Sequence, residues 1–200
     1  MAERPRTDDG ETVRAAETMF DIVEHLHEQD GLTVTEIADD LGYAKSTVHR
    51  HLSTLSGRGY LVKKSDLYYV GLQFLALGEQ ARNRYDAYQL AQDKVQNLAE
   101  ETEERAQFIV EEHGEGVYIH RSLGERAVQT DPGIGKRIPL HATAAGKAIL
   151  ANMPEDRLFE IIERAEFRPL TANTITSRDE LLNELDAVRE RGYAFNKQEN

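Results

Sequence analysis

One stretch constrains this chain more than any other: residues 32–71, LTVTEIADDLGYAKSTVHRHLSTLSGRGYLVKKSDLYYVG. Thr33 and Glu36 are spaced as a capping box, in which the hydroxyl accepts from a first-turn amide while the carboxylate reaches back to the Thr33 amide. A helix begins there. Ile37 and Leu41 give it an apolar face, Gly42 supplies a turn, and Val48, Leu52 and Leu55 at i, i+4 and i+7 mark the buried stripe of a second helix. The pattern predicts two short helices meeting at a tight glycine turn.

With Val48 and Leu52 inward, Lys45, Ser46, Thr47, His49 and Arg50 occupy the exposed, N-terminal part of the second helix. These side chains suit a DNA groove. Arg or Lys pairs with guanine, Ser and Thr donate to base or phosphate, and a helix N-terminus attracts phosphate. In helix-turn-helix proteins this is the part that enters the major groove. After Gly57 and Gly59, residues 60–64 and 67–72 read as two strands joined at Ser65 and Asp66, a wing whose Lys63 and Lys64 reach phosphates. The predicted partner is double-stranded DNA.

Charge supports this. Residues 42–64 hold five basic side chains (Lys45, Arg50, Arg58, Lys63, Lys64) and no Asp or Glu, in a chain of net charge -12. A local basic patch on an acidic background is the footprint of a small DNA-reading surface. A wing that binds protein remains an alternative at this point. Asp and Glu outnumber Lys and Arg by 36 to 24, and only 7 of the 24 are Lys, which points to a halophilic source. Phosphate contacts weaken steeply with salt, so either the source is not halophilic or base contacts and dimer avidity carry more of the affinity.

A length of 200 residues suggests one or two domains. There is no run of about eighteen apolar residues and no secretory pattern, which predicts a cytoplasmic protein with no membrane partner. The absence of Cys rules out disulfides, thiolate metal sites and a cysteine nucleophile. His25 and His27, like His49 and His51, lie at i, i+2, whereas a helical metal pair wants i, i+4. No metal and no other cofactor is predicted.

In order, residues 1–11 read as a disordered terminus, 12–72 as the winged helix-turn-helix, 73–85 as a linker helix, and 86–200 as a second, mixed α and β domain. Thr12 is the expected cap of a first helix running to Glu28, with Val13, Ala16, Phe20, Val23 and Leu26 on its core face. A helix over 85–104 carries the stripe Tyr88, Ala91, Val95 and Leu98, which faces either the second domain's core or a second copy of the chain. Strands are expected at 107–111 and 117–121 around a turn at 113–116, and at 127–130 and 137–140 around a loop at 131–136. Helices follow at 141–153, ended by Pro154, and at 155–164. Another is opened by a Ser177/Glu180 capping box and ended by Gly192, with a strand starting at Tyr193.

Residues 132–154 form a second acid-free run, with Lys136, Arg137, His141 and Lys147. Gly133 and Gly135 free backbone amides, and the helix near Thr143 begins with Ala144, Ala145 and Gly146, small enough to let a ligand touch its N-terminus. A small carboxylate suits such a place. Close helix-to-sheet packing explains the same small residues equally well. Gly146-Lys147-Ala148 lacks the residues of a P-loop, Gly133 to Lys136 fails the dinucleotide pattern, and no GxSxG, HExxH or Ser-Lys motif occurs. No enzyme is predicted.

The segments TVTEIADDLGYAKSTVHRHLSTLSGRGYL, YVGLQFLALG, RIPLHATAAGKAILANMP and RGYAFNKQEN, in this order, resemble the IclR-type transcriptional regulators. HATAAGKAILA is a signature of that family's effector domain, and the resemblance covers nearly everything after Thr12. It implies an α+β multidomain protein: a winged helix-turn-helix, a linker helix and a GAF-like α/β domain binding a small-molecule effector, often a carboxylic or aromatic acid. It also implies a homodimer or homotetramer. By position, Lys45, Ser46, Thr47, His49 and Arg50 face DNA, and Leu140, His141, Thr143, Ala144, Ala145 and Gly146 line the effector pocket. Family members continue past the segment matching Glu199 with further strands, whereas this sequence stops at Asn200. The resemblance therefore implies an effector domain short of those strands. The expected function is effector-controlled, sequence-specific regulation of transcription. The alternatives are a constitutive DNA-binding protein without a working effector site, or a sensor or enzyme whose winged helix contacts protein.

Overall fold

The computed structural model describes residues 12–128 and 133–200. The expected disordered terminus at 1–11 lies outside the described residues, as do the last two positions of the expected strand at 127–130. The chain forms two compact units, the first ending at Ala81 and the second starting at Arg82.

The first unit orders helices α1 (Arg14–Glu28), α2 (Val34–Leu41) and α3 (Lys45–Gly57), strands β1 (Leu61–Lys64) and β2 (Leu67–Val70), and helix α4 (Gln73–Arg82), which ends at the boundary. The capping box forms: Thr33 Oγ1 accepts from the Glu36 amide at 3.3 Å, and Glu36 Oε2 accepts from the Thr33 amide at 2.8 Å. Gly42 closes α2 at φ 70°, a left-handed conformation that a side chain would strain, so the chain reverses within three residues. Ile22, Leu26, Ile37, Val48, Leu52, Leu55, Leu61 and Tyr68 fill the core between the helices and the hairpin. The hairpin pairs Lys63 with Tyr68 and Lys64 with Leu67, and Leu32 adds a bridge to Tyr68.

The row expected for α1 holds at Val23 and Leu26, which face the core, and is displaced before them. Val13 is 68% and Phe20 54% exposed, while Thr18, Ile22 and Leu26, at strict i, i+4, i+8 spacing, are buried. Thr18 tolerates burial because its hydroxyl donates to the Arg14 carbonyl at 3.0 Å, leaving no orphaned polar group. Nor is Thr12 the cap. The helix opens at Val13, whose carbonyl accepts from the amides of Ala16 and Glu17, with no side-chain cap.

The second unit orders α5 (Asp86–Thr102), β3 (Arg105–Glu112), β4 (Glu115–Leu123), β5 (Arg137–Pro139), α6 (Ala144–Ala151), α7 (Glu155–Arg164) and α8 (Arg178–Arg191). The three strands pair antiparallel in the order β3-β4-β5. His113 and Gly114, at φ 56° and 82°, make the two-residue turn whose twist matches a hairpin. Helix α5 packs on β3 through Val95, Ala99, Ala106 and Phe108, and the His120 ring sits 2.6 Å from the Tyr88 carbonyl. Leu98 is 52% exposed; its expected place belongs to Ala99, one i+4 step beyond Val95. A larger core of Leu140, Leu150, Leu158, Ile161, Ile162, Leu181, Leu185 and Val188 joins α6, α7 and α8.

Helix α6 starts three residues later than expected, because Thr143 is its cap. Ser177 caps α8 by accepting from the Glu180 amide at 3.3 Å. Residues 193–195 form no strand, and neither do Ala127 and Val128. The segment after Gly192 is held instead by side chains: Thr171 Oγ1 donates to the Gln198 carbonyl, Asn173 Nδ2 to that of Lys197 and Thr174 Oγ1 to that of Glu199.

Candidate functional site

Burial of Val48, Leu52 and Leu55 sets which face of α3 turns inward. Lys45, Ser46, His49 and Arg50 then emerge together into solvent, while Thr47 is partly covered. Ser53 shares the exposed face, one turn after His49, and is not among the residues the motif points to. The same i+4 periodicity would have found it.

The start of α3 differs from that of α2. Its cap is Ala44, with no side-chain hydrogen bond and no acid in the first turn. The Thr47 amide donates to the Ala44 carbonyl at 2.8 Å, which leaves the Lys45 and Ser46 amides and the positive end of the helix dipole for an external acceptor, and a phosphate is the strongest such acceptor on DNA.

Lys63 and Lys64 are both exposed at the wing, but they leave opposite faces because side chains alternate along a strand. Lys63 Nζ lies 5.3 Å from the Tyr68 ring centroid and Lys64 Nζ 5.7 Å from that of Tyr69. Each ammonium is thus steered by an aromatic ring of β2.

The expected effector residues do gather at one place, where β5 leads into α6. Leu140, His141, Thr143 and Gly146 are buried; Ala144 and Ala145 are half-buried. Their polar groups are largely satisfied from within. Thr143 Oγ1 accepts from the Gly146 amide at 3.1 Å and donates to the Pro139 carbonyl at 3.3 Å. A Cβ on Gly146 would stand 2.2 Å from the Leu140 carbonyl oxygen, so this glycine is required for close backbone approach. The packing account of the small residues therefore holds for Gly146.

His141 is the exception. Its Nε2 is buried without a hydrogen-bond partner, and its ring meets Phe167 edge-on at 5.3 Å. Burial holds its pKa below the ordinary histidine value, against the opposing effects of a hydrogen bond to the Arg168 backbone and the Glu199 charge.

Lys147, from the same run, is not available to a ligand. It is 0% exposed, with its Nζ on Glu199 Oε1 at 2.5 Å. The sequence carried no signal for this pair. Two open clefts mark the unit: one of about 780 Å³ bordered by Thr174, Glu180, Glu184, Lys197 and Glu199, the other of about 450 Å³ between Phe159 and Leu182. Neither is lined by residues 140–146. No group of acids and histidines able to hold a metal occurs among the described residues. No helix there is long and apolar enough to cross a membrane.

Comparison with known proteins bears on both units. Residues 15–65 match the family model of the IclR helix-turn-helix domain, and residues 79–200 match that of the bacterial transcriptional regulator IclR C-terminal domain. The chain is 33% identical over 183 residues to "Probable HTH-type transcriptional regulator ArcR" of Halobacterium salinarum, covering 90% of this chain and 70% of that protein. It is 32% identical over 191 residues to the HTH-type transcriptional regulator KdgR of Escherichia coli, covering 94% and 73%. The crystal structure of Thermotoga maritima IclR superposes with a TM-score of 0.72 at 31% identity, over 94% of this chain and 75% of that one. A likeness of fold alone, at 24% identity and TM-score 0.64, links it to an IclR homologue of Microbacterium hydrocarbonoxydans complexed with 4-hydroxybenzoate, over 88% and 75%. These relatives regulate transcription and are not enzymes. With a helix-turn-helix domain in one unit and the matching C-terminal domain in the other, the chain belongs to the IclR family of transcriptional regulators.

Proposed function

We propose that this regulator reads an operator with Lys45, Ser46, Thr47, His49 and Arg50 on α3, steadied by Lys63 and Lys64 of the wing. The observation that carries the reading is the orientation of α3: its apolar stripe is buried, and its uncapped, acid-free N-terminus is presented with the polar residues. The protein acts in the cytoplasm as a homodimer, or a homotetramer built from dimers, since two half-sites a helical turn apart call for two-fold symmetry. Exposed Val13 at the cap of α1 and Phe20 on it, and Leu75 and Leu77 on α4, supply apolar surface for such assembly. Binding to its own upstream DNA, with random competitor and a salt titration, tests this. Selective binding with a negative log-log salt slope supports it; equal affinity for random duplex sinks it.

The C-terminal domain takes a small carboxylic or aromatic acid near Leu140, His141, Thr143, Ala144, Ala145 and Gly146, and the acid shifts DNA affinity by favouring one arrangement of the dimer. The orphaned, buried Nε2 of His141 supports a polar ligand there. The internal use of the Gly146 amide and the tight Gly146–Leu140 approach favour a second reading, constitutive DNA binding without an effector. Calorimetry with pyruvate, benzoate and 4-hydroxybenzoate separates the two. Saturable heats abolished by Thr143→Val select the first.

A further inference from the structure

We infer that Asp21 and His25, one turn apart on α1, are positioning residues that set the aim of the DNA-reading helix α3 by holding Tyr43 and Asp40. This rests on the proposed reading of α3 as the groove helix. Tyr43 Oη donates to Asp21 Oδ2 at 2.5 Å, and His25 Nε2 lies 2.9 Å from Asp40 Oδ2. Both ties run from α1 to the end of α2 or the turn beyond it. Only Gly42, Tyr43 and Ala44 separate α2 from α3, so Tyr43 stands two residues before Lys45.

The apolar core alone does not fix that aim. Burial of Ile37, Val48 and Leu52 is favourable over a range of small rotations, because the hydrophobic effect has no direction. Hydrogen bonds do have direction, losing strength steeply with angle. Two of them, anchored at i and i+4 of a single rigid helix, remove rotation of the α2–α3 turn as well as translation. The Tyr43 ring packs on the core, which leaves its hydroxyl to meet Asp21 at the surface. That bond also raises the phenol pKa, the carboxylate acceptor favouring the protonated hydroxyl.

The experiment measures affinity for operator and random duplex, using the full chain and Asp21→Ala, Tyr43→Phe, the double variant, Asp21→Asn and Asp40→Ala. Asp39→Ala is the charge control, since Asp39 is an exposed acid beside Asp40 on the same helix. Removing an acid strengthens binding to all DNA, so the readout is the operator-to-random ratio. Asp21→Ala, Tyr43→Phe and Asp40→Ala are expected to lower it about three- to ten-fold. The double variant is expected to be no worse than either single, and Asp21→Asn, which keeps an acceptor oxygen, to retain most of the ratio. A loss that merely tracks the folded fraction, measured by thermal melting, would leave the ratio untouched and overturn the inference; so would additive losses in the double variant. A wild type that fails to prefer operator overturns the DNA reading itself, a separate outcome.

Discussion

Lys147 Nζ and Glu199 Oε1 meet at 2.5 Å across 52 residues of sequence, with the two side chains 0% and 4% exposed. Each charge is kept in the interior by the other. The Glu199 backbone is pinned as well, its carbonyl accepting from Thr174 Oγ1 and its amide donating to Asn196 Oδ1. The pair is the only ion pair in which helix α6 takes part among the described residues, and it joins α6 to the irregular C-terminal segment.

Removing one partner leaves a buried, uncompensated charge. Lys147→Met or Glu199→Leu alone should cost about 3–5 kcal/mol in denaturant unfolding, while the double variant should recover much of that loss. Losses that simply add would show that the two side chains act independently.

Gly146→Ala places a methyl against backbone that cannot swing aside. The first turn of α6 or the β5 connection must shift, at a cost of about 1–3 kcal/mol or more. Ala145→Gly, next to it, should cost only about 1 kcal/mol through helix propensity. Melting temperatures of the two variants check this ordering.

Arg50→Ala should weaken operator binding by about 1–3 kcal/mol and relax sequence preference, whereas Lys63→Ala should weaken all DNA alike and lower the salt slope by about one. Because Lys63 and Lys64 leave opposite faces of the wing, alanine at the two positions should not cost the same. Anisotropy titrations at several salt concentrations measure all three.

The buried imidazole of His141 has a folded pKa below the ordinary 6.5. Above about pH 6.5 it is neutral in both folded and unfolded chains, and its contribution to stability is complete. Below that, the unfolded chain takes up a proton that the folded one resists. Stability should therefore fall as pH drops from about 6.5 toward the folded pKa. His141→Phe, which keeps a ring against Phe167, should show a smaller acid-side loss in melts between pH 5 and 8.

Local motifs were legible in the sequence because their chemistry is complete within a few residues. Thr33 and Glu36 form their box, Gly42 turns the chain, and Val48, Leu52 and Leu55 are buried. Misreadings arose where a polar group satisfied itself. Thr18 lies in the core by donating to Arg14, so the part of the row through Thr18 and Ile22 does not read as apolar and Phe20 stands there in the expectation, while Leu26 is buried as expected. Thr143 acts as a cap, so α6 begins after it and not at His141. The effector region was harder still. Whether Gly146 admits a ligand or a neighbouring backbone depends on Leu140, and the fate of Lys147 on Glu199, contacts that only the folded chain makes.

Ala44 has a further consequence. A methyl group cannot hold the amides of Lys45 and Ser46, so water alone competes for them and the opening turn frays more readily than the body of the helix. A phosphate docking there finishes the helix, and DNA becomes in effect its missing residue. Ordering of that turn is then coupled to association, and amide hydrogen exchange at Lys45 and Ser46 should slow on operator DNA by more than exchange at Leu52, which is already locked in the core.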